Sequence, residues 1–99
     1  MDMKALMEQA KQLQGKVAAA QDLLGKSTVK GIAGNGLVIV EMTGKYDLSK
    51  LTLNPDLLKE DLETITALIT AAFNDAKAKA DDLIDKTMSA ATAGMPLPE

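Results

Sequence analysis

Residues 31–36 read G-I-A-G-N-G and run directly into L-V-I-V at 37–40. Glycines this dense can bring backbone amides against a phosphate. The dinucleotide version of that chemistry is G-x-G-x-x-G between a strand and a helix, because the helix N-terminus supplies the amide donors and the dipole that hold the pyrophosphate. Here the spacing is reversed, no lysine-serine pair follows, and the next element reads as a strand. Gly31, Gly34 and Gly36 are therefore read as architecture, a hairpin turn with close strand approach. The carboxylates Asp81, Asp82 and Asp85 could serve a hard cation, but they lack the spacing and the glycine of a calcium loop and read as a solvated helix face. The chain has no histidine and no cysteine. It thus lacks the side chain that best shuttles protons near neutral pH, the thiolate nucleophile and the soft metal ligands. No catalytic residues, no metal and no cofactor are expected, and the chain is not read as an enzyme.

What remains is charge and apolar surface. The 99 residues carry a net charge of −3, unevenly spread. Residues 1–50 hold seven lysines against five acids, a net of +2, and residues 51–99 hold four against nine, a net of −5. Every basic residue is a lysine. Without an arginine fork, any contact with nucleic acid is point-charge attraction to phosphate with little reading of bases. Tyr46 and Phe73 are the only aromatic residues, too few for a stacking platform for single strands. The N-terminus is charged from its second residue, and no apolar run approaches a membrane span, so a cytoplasmic protein without a membrane partner is expected.

These charges need elements to hold them. Met3, Leu6, Ala10, Leu13, Val17, Ala20 and Leu24 recur at steps of three and four, which predicts a helix over about 2–24 closed by Gly25 in the left-handed conformation. Met3 and Met7 read as core or interface filler. Three strands follow, over Ser27 to Ala33, Leu37 to Thr43 and Tyr46 to Leu53. Asn35-Gly36 suits a tight hairpin and Gly44-Lys45 a second turn. Asn54-Pro55 opens a helical turn. A second long helix over about 61–91 carries the stripe Leu62, Ile65, Ile69, Ala72, Phe73, Ala76, Ala80, Leu83, Ile84 and Thr87. Asp75 with Lys79, and Asp82 with Lys86, stand four apart with the acid first, the better orientation for a helix pair. The fold class is α+β, an α-β-β-β-α protomer whose three-stranded antiparallel meander is flanked by two long helices. Residues 1–91 form a single domain and 92–99 a flexible tail.

Helices of roughly 35 and 45 Å overhang a three-stranded sheet only about 10 to 15 Å across. Such uncovered stripes mark an interface, and a symmetric homodimer covers them most simply. Met3, Leu6, Met7, Leu13, Val38 and Val40 are the expected interface residues.

The segments M-D-M-K-A-L-M-E-Q-A-K-Q-L-Q, G-I-A-G-N-G-L-V-I-V-E-M-T-G-K, N-P-D-L-L and A-A-F-N-D-A-K-A-K-A-D-D together resemble the YbaB/EbfC family of small bacterial nucleoid-associated proteins. The resemblance covers about residues 3–88, and the hairpin followed by the N-D-A-x-x-K helix is its most specific part. It implies a tweezer-like homodimer, duplex DNA binding without catalysis, and a place in the cytoplasm or nucleoid. On the helical wheel Lys4 and Lys11 lie together opposite the apolar stripe, with Lys16 on the flank. These three are the expected DNA-binding residues, with Lys77 and Lys79 secondary. A dimeric scaffold for another protein, suited to the acidic second helix and the proline-containing tail, is the alternative.

Overall fold

The computed structural model describes residues 2–93. The order is α1 (Met3–Lys26), β1 (Thr28–Ala33), β2 (Val38–Thr43), β3 (Leu48–Leu53), a 3-10 turn (Pro55–Lys59) and α2 (Leu62–Thr92). The strands form one antiparallel sheet in the order β1-β2-β3, the expected meander. The tail expected over 92–99 begins at the last residue of α2, and from residue 94 it lies outside the described residues.

Local chemistry sets the boundaries. The Asp2 carboxylate accepts from the Lys4 amide at 3.0 Å and opens α1, and that of Asp61 accepts from the Thr64 amide at 2.8 Å and opens α2. Asn54 caps the 3-10 turn, its side chain accepting from the Asp56 amide at 2.9 Å with Pro55 next in line. The first hairpin loop is wider than Asn35-Gly36 alone. Ala33 pairs with Val38, and Gly34, Asn35 and Gly36 all take positive φ, at 63°, 55° and 95°. In the second turn the left-handed residue is Tyr46 at φ 68°. Gly25 does not close α1 as expected. The helix runs on to Lys26, and Ser27 caps it by donating its hydroxyl to the Leu23 carbonyl at 2.7 Å.

The core lies between the sheet and α2. Val38, Val40 and Met42 alternate toward α2 along the central strand and meet Ala72, Ala76, Ala80 and Leu57. α2 lies across β1 and β2. Its approach to β1 is set by Gly31, where an added Cβ would stand 2.0 Å from the Ala72 carbonyl oxygen and 2.4 Å from the Ala76 amide nitrogen. Helix backbone therefore rests on strand backbone, with alanine methyls filling the seam.

Two sequence expectations change at this point. Of the seven-residue stripe on α1, only Ala20 and Leu24 are buried; residues 3–12 are exposed throughout. Val38 and Val40, expected at a dimer interface, are 0% and 1% exposed within one protomer. α2 already covers them, so their side chains have nothing left to offer a partner. The inward row that stays open is on β3, where Leu53, Leu51 and Leu48 stand in register with Val38, Val40 and Met42. These leucines are still between 43% and 52% exposed, because α2 stops short of them.

The molecule measures 68 × 24 × 16 Å with a radius of gyration of 19.2 Å, against about 13 Å for a typical domain of this length. Gly31→Ala should lower unfolding stability in urea by about 1 to 3 kcal/mol or more, through overpacking of the seam. Gly15→Ala, in a helix position with nothing within 4 Å of the added carbon, should raise it by up to about 1 kcal/mol.

Candidate nucleic-acid interface

Lysines become phosphate ligands only where they stand free of carboxylates and of bulk protein, so their partners decide the matter. In α2 each lysine reaches an aspartate one turn away: Lys77 to Asp81 at 3.7 Å, Lys79 to Asp75 at 3.1 Å and Lys86 to Asp82 at 2.9 Å. Lys26 pairs with Asp22 at 3.0 Å and Lys59 with Asp56 at 3.8 Å. Among the described residues, Lys4, Lys11 and Lys16 pair with no carboxylate. The same holds for Lys30, Lys45 and Lys50 on the sheet and its second turn. The uncompensated positive charge thus falls on the projecting half of α1 and on the strands.

α1 is held at its C-terminal end. The Leu24 carbonyl accepts from the Gly44 amide at 2.9 Å, and Lys45 lays its aliphatic stem over Gly25, putting a cation at the negative end of the helix dipole. Further back, Ala19, Ala20 and Leu23 form a shallow groove with Thr87, Ala90 and Ala91 of α2, with Lys16 and Lys86 at its rim. From there to Asp2 the helix stands away from the sheet. Lys4 and Lys11 come together around one surface depression with Met7 and Glu8. Lys16 faces the groove instead, as its flanking place on the wheel implies. Lys77 and Lys79 sit on the stretch of α2 that packs on the sheet, remote from the arm.

The carboxylates Asp81, Asp82 and Asp85 do not converge. Asp81 accepts the Tyr46 hydroxyl and pairs with Lys77, whose ammonium lies 5.9 Å from the Tyr46 ring centroid. Asp82 is taken by Lys86. The hydrogen bond to Asp81 raises the Tyr46 hydroxyl above its ordinary value. The sequence reading missed Tyr46 as the residue that ties the second turn to α2. A positive-φ aromatic leaves no composition signal, because its conformation is fixed by a contact 35 residues away. Asp75 is also more than a helix partner. Its carboxylate accepts from the backbone amide of Ile32 at 3.0 Å, while Lys79 donates to the Lys30 carbonyl at 2.7 Å.

The described residues thus form an elongated α-β-β-β-α protomer with a lysine-bearing helical arm. The model of the YbaB/EbfC DNA-binding family matches residues 1–95, and the chain belongs to that family. It is 45% identical over 93 residues to a nucleoid-associated protein of Bordetella avium, covering 94% of this chain and 86% of that one. With a nucleoid-associated protein of Psychrobacter arcticus it shares 45% identity over 102 residues, covering 99% and 94% of the two chains. Its fold is similar to the crystal structure of an uncharacterized Helicobacter pylori protein, HP0035, with a TM-score of 0.77 at 20% identity, covering 87% of this chain and 91% of that one. The family is a DNA-binding one, not a known family of enzymes. No helix among the described residues is long and apolar enough to cross a membrane.

Two carboxylates tie this framework to pH. Asp61 is held below the ordinary carboxylate value by its bonds to Thr64, and Asp75 by the Ile32 amide first and Lys79 second. A depressed folded pKa means that the unfolded chain takes up protons first as the pH falls. The stabilisation is therefore complete above about pH 4 and is lost as the pH drops through the folded values. The thermal midpoint of the native chain should fall below about pH 4, and Asp61→Asn with Asp75→Asn should reduce that fall on acidification.

Proposed function

We propose that two copies of this chain pair through their sheets and bind duplex DNA without catalysis. The lysines of the α1 arms contact phosphates, with little sequence preference. The observation that carries this reading is the placement of Lys4, Lys11 and Lys16 on a projecting helix, free of the carboxylates that occupy every lysine of α2. Phosphate contacts of this kind release counterions and make affinity strongly salt-dependent. Arginine is absent and aromatic residues are sparse, so neither bidentate base reading nor stacking adds specificity. The names of the relatives point the same way, and DNA binding would hold the protein at the nucleoid.

Pairing is supported by the open inward row Leu48, Leu51 and Leu53 on β3, with the exposed Leu58 close to Leu53 at its end. Met3, Leu6 and Met7, with half-buried Leu13, form a second apolar surface along α1 that a partner copy would cover. Lys77 and Lys79 keep a secondary place among DNA contacts, because each is held by its own aspartate. The second reading, a dimeric scaffold for another protein, is favoured by the carboxylates exposed along α2. A partner retained after nuclease treatment would select it.

Duplex DNA should be shifted at about 50 mM salt and released as salt rises. The triple variant Lys4→Ala, Lys11→Ala, Lys16→Ala, six charges in a dimer, should flatten the slope of log K against log salt by up to about 5. Lys77→Ala, which removes a lysine already held by Asp81, should change that slope little. An unshifted duplex at about 50 mM salt would remove the reading.

A further inference from the structure

The edges of the sheet are treated differently. β1 pairs with β2 on one side only, so its other edge carries unpaired backbone groups. Two of them are occupied from α2: the Asp75 carboxylate accepts a hydrogen bond from the Ile32 amide at 3.0 Å, and the Lys79 ammonium donates one to the Lys30 carbonyl at 2.7 Å. The two side chains also bond each other at 3.1 Å, which fixes both. An acceptor on the amide of one residue and a donor on the carbonyl two residues earlier is what a neighbouring strand would supply. The close seat of α2 on Gly31 brings the pair within reach. The N–H of Ile32 contributes most to holding the Asp75 carboxyl below its ordinary range. At β3, all six residues are exposed and no side chain of the described residues bonds the outer backbone edge.

We propose that the Asp75–Lys79 pair is a strand mimic that closes the β1 edge, so that the sheet accepts a second copy of this chain at β3 alone and assembly stops at two. The occupant of the β3 edge is a second copy because the row Leu48, Leu51 and Leu53 continues the protomer's own core, in register with Met42, Val40 and Val38. A second copy brings both a strand for the open edge and the same apolar row to set beside this one. The limit of two rests on the pairing proposed above; the closure of β1 does not. A symmetric pair joined at β3 has a β1 edge at each outer end, so loss of the cap opens both ends to further strands.

Sedimentation velocity across a hundredfold concentration range, with amide exchange read at Ile32, tests this on the full chain. The native chain should hold one dimeric mass with a slowly exchanging Ile32 amide. Asp75→Ala with Lys79→Ala should form species that grow with concentration, and exchange at Ile32 should rise by about tenfold or more. Asp75→Asn and Lys79→Met, which nearly preserve volume, should show the same trend more weakly and report on the cap should the double variant fail to fold. Lys77→Ala removes a neighbouring helix pair that does not touch β1, and should leave both readings unchanged. Unchanged mass and exchange in the cap variants overturn the proposal, and so does faster exchange without larger assemblies. A monomeric native chain would defeat the pairing reading alone. In that case concentration-dependent association of the cap variants still supports closure of β1, and its absence overturns it.

Discussion

The contact between Gly31 and the turn of α2 from Ala72 to Ala76 sets the geometry of the whole molecule. Nothing larger than hydrogen fits at position 31, and nothing larger than a methyl lines the helix face above it. Small residues on both sides let the two backbones approach, and dispersion between well-packed atoms replaces the bulky side chains that usually fill a sheet-helix layer. The core is correspondingly slight: two valines and a methionine on β2, Leu57, and a row of alanines. So thin a layer covers β1 and β2 and leaves β3 open. The rest of the apolar surface, on β3 and on the first half of α1, is what that economy leaves over.

The same seam organises the charge. α2 must lie flat on β1, and its flanks carry aspartates and lysines one turn apart, so most of its cations are neutralised within the helix. Lys4 stands 20 residues of helix beyond Leu24, where α1 is anchored, a distance of about 30 Å. At about 0.1 M salt the Debye length is only about 10 Å, so the acids of the sheet-bound part of α2 are screened from the tip of the arm. An overall negative chain can thus present a locally positive limb. Net charge is a poor guide to the partner here because the molecule is long compared with the range of its own field.

Periodicity in the sequence was enough to place both helices, all three strands and the turn at Asn54-Pro55, since each is fixed by neighbours within a few residues. It also paired Asp75 with Lys79 correctly. What it lacked was the identity of whatever lies opposite. The stripe from Met3 to Leu24 is apolar along its length, but only Ala20 and Leu24 are buried, and a helical wheel does not say where the covering element ends. Val38 and Val40 fell on the wrong side of the same question, since alternation on β2 does not tell whether a helix or a second chain sits above it. Gly25 looked like a helix stop, yet the hydroxyl of Ser27 does that work two residues later. Tyr46 and the strand-edge bonds of Asp75 and Lys79 were out of reach for one reason. They join residues 35 to 49 positions apart, through a seam whose closeness is decided at Gly31.

That separation of local and distant information bears on the proposed limit to assembly. A meander of three strands has two edges, and backbone groups are alike in every chain, so side chains on the strands alone cannot easily mark one edge as open and the other as closed. A helix lying beside one edge can, provided it sits close enough for short side chains to reach the strand's own hydrogen-bonding groups. Lysine reaches far and aspartate does not, which makes Asp75 the more demanding partner and the tight seat on Gly31 a precondition for it. The number of arms a DNA duplex meets would then depend, through the proposed pairing, on a glycine in the middle of a strand far from any phosphate.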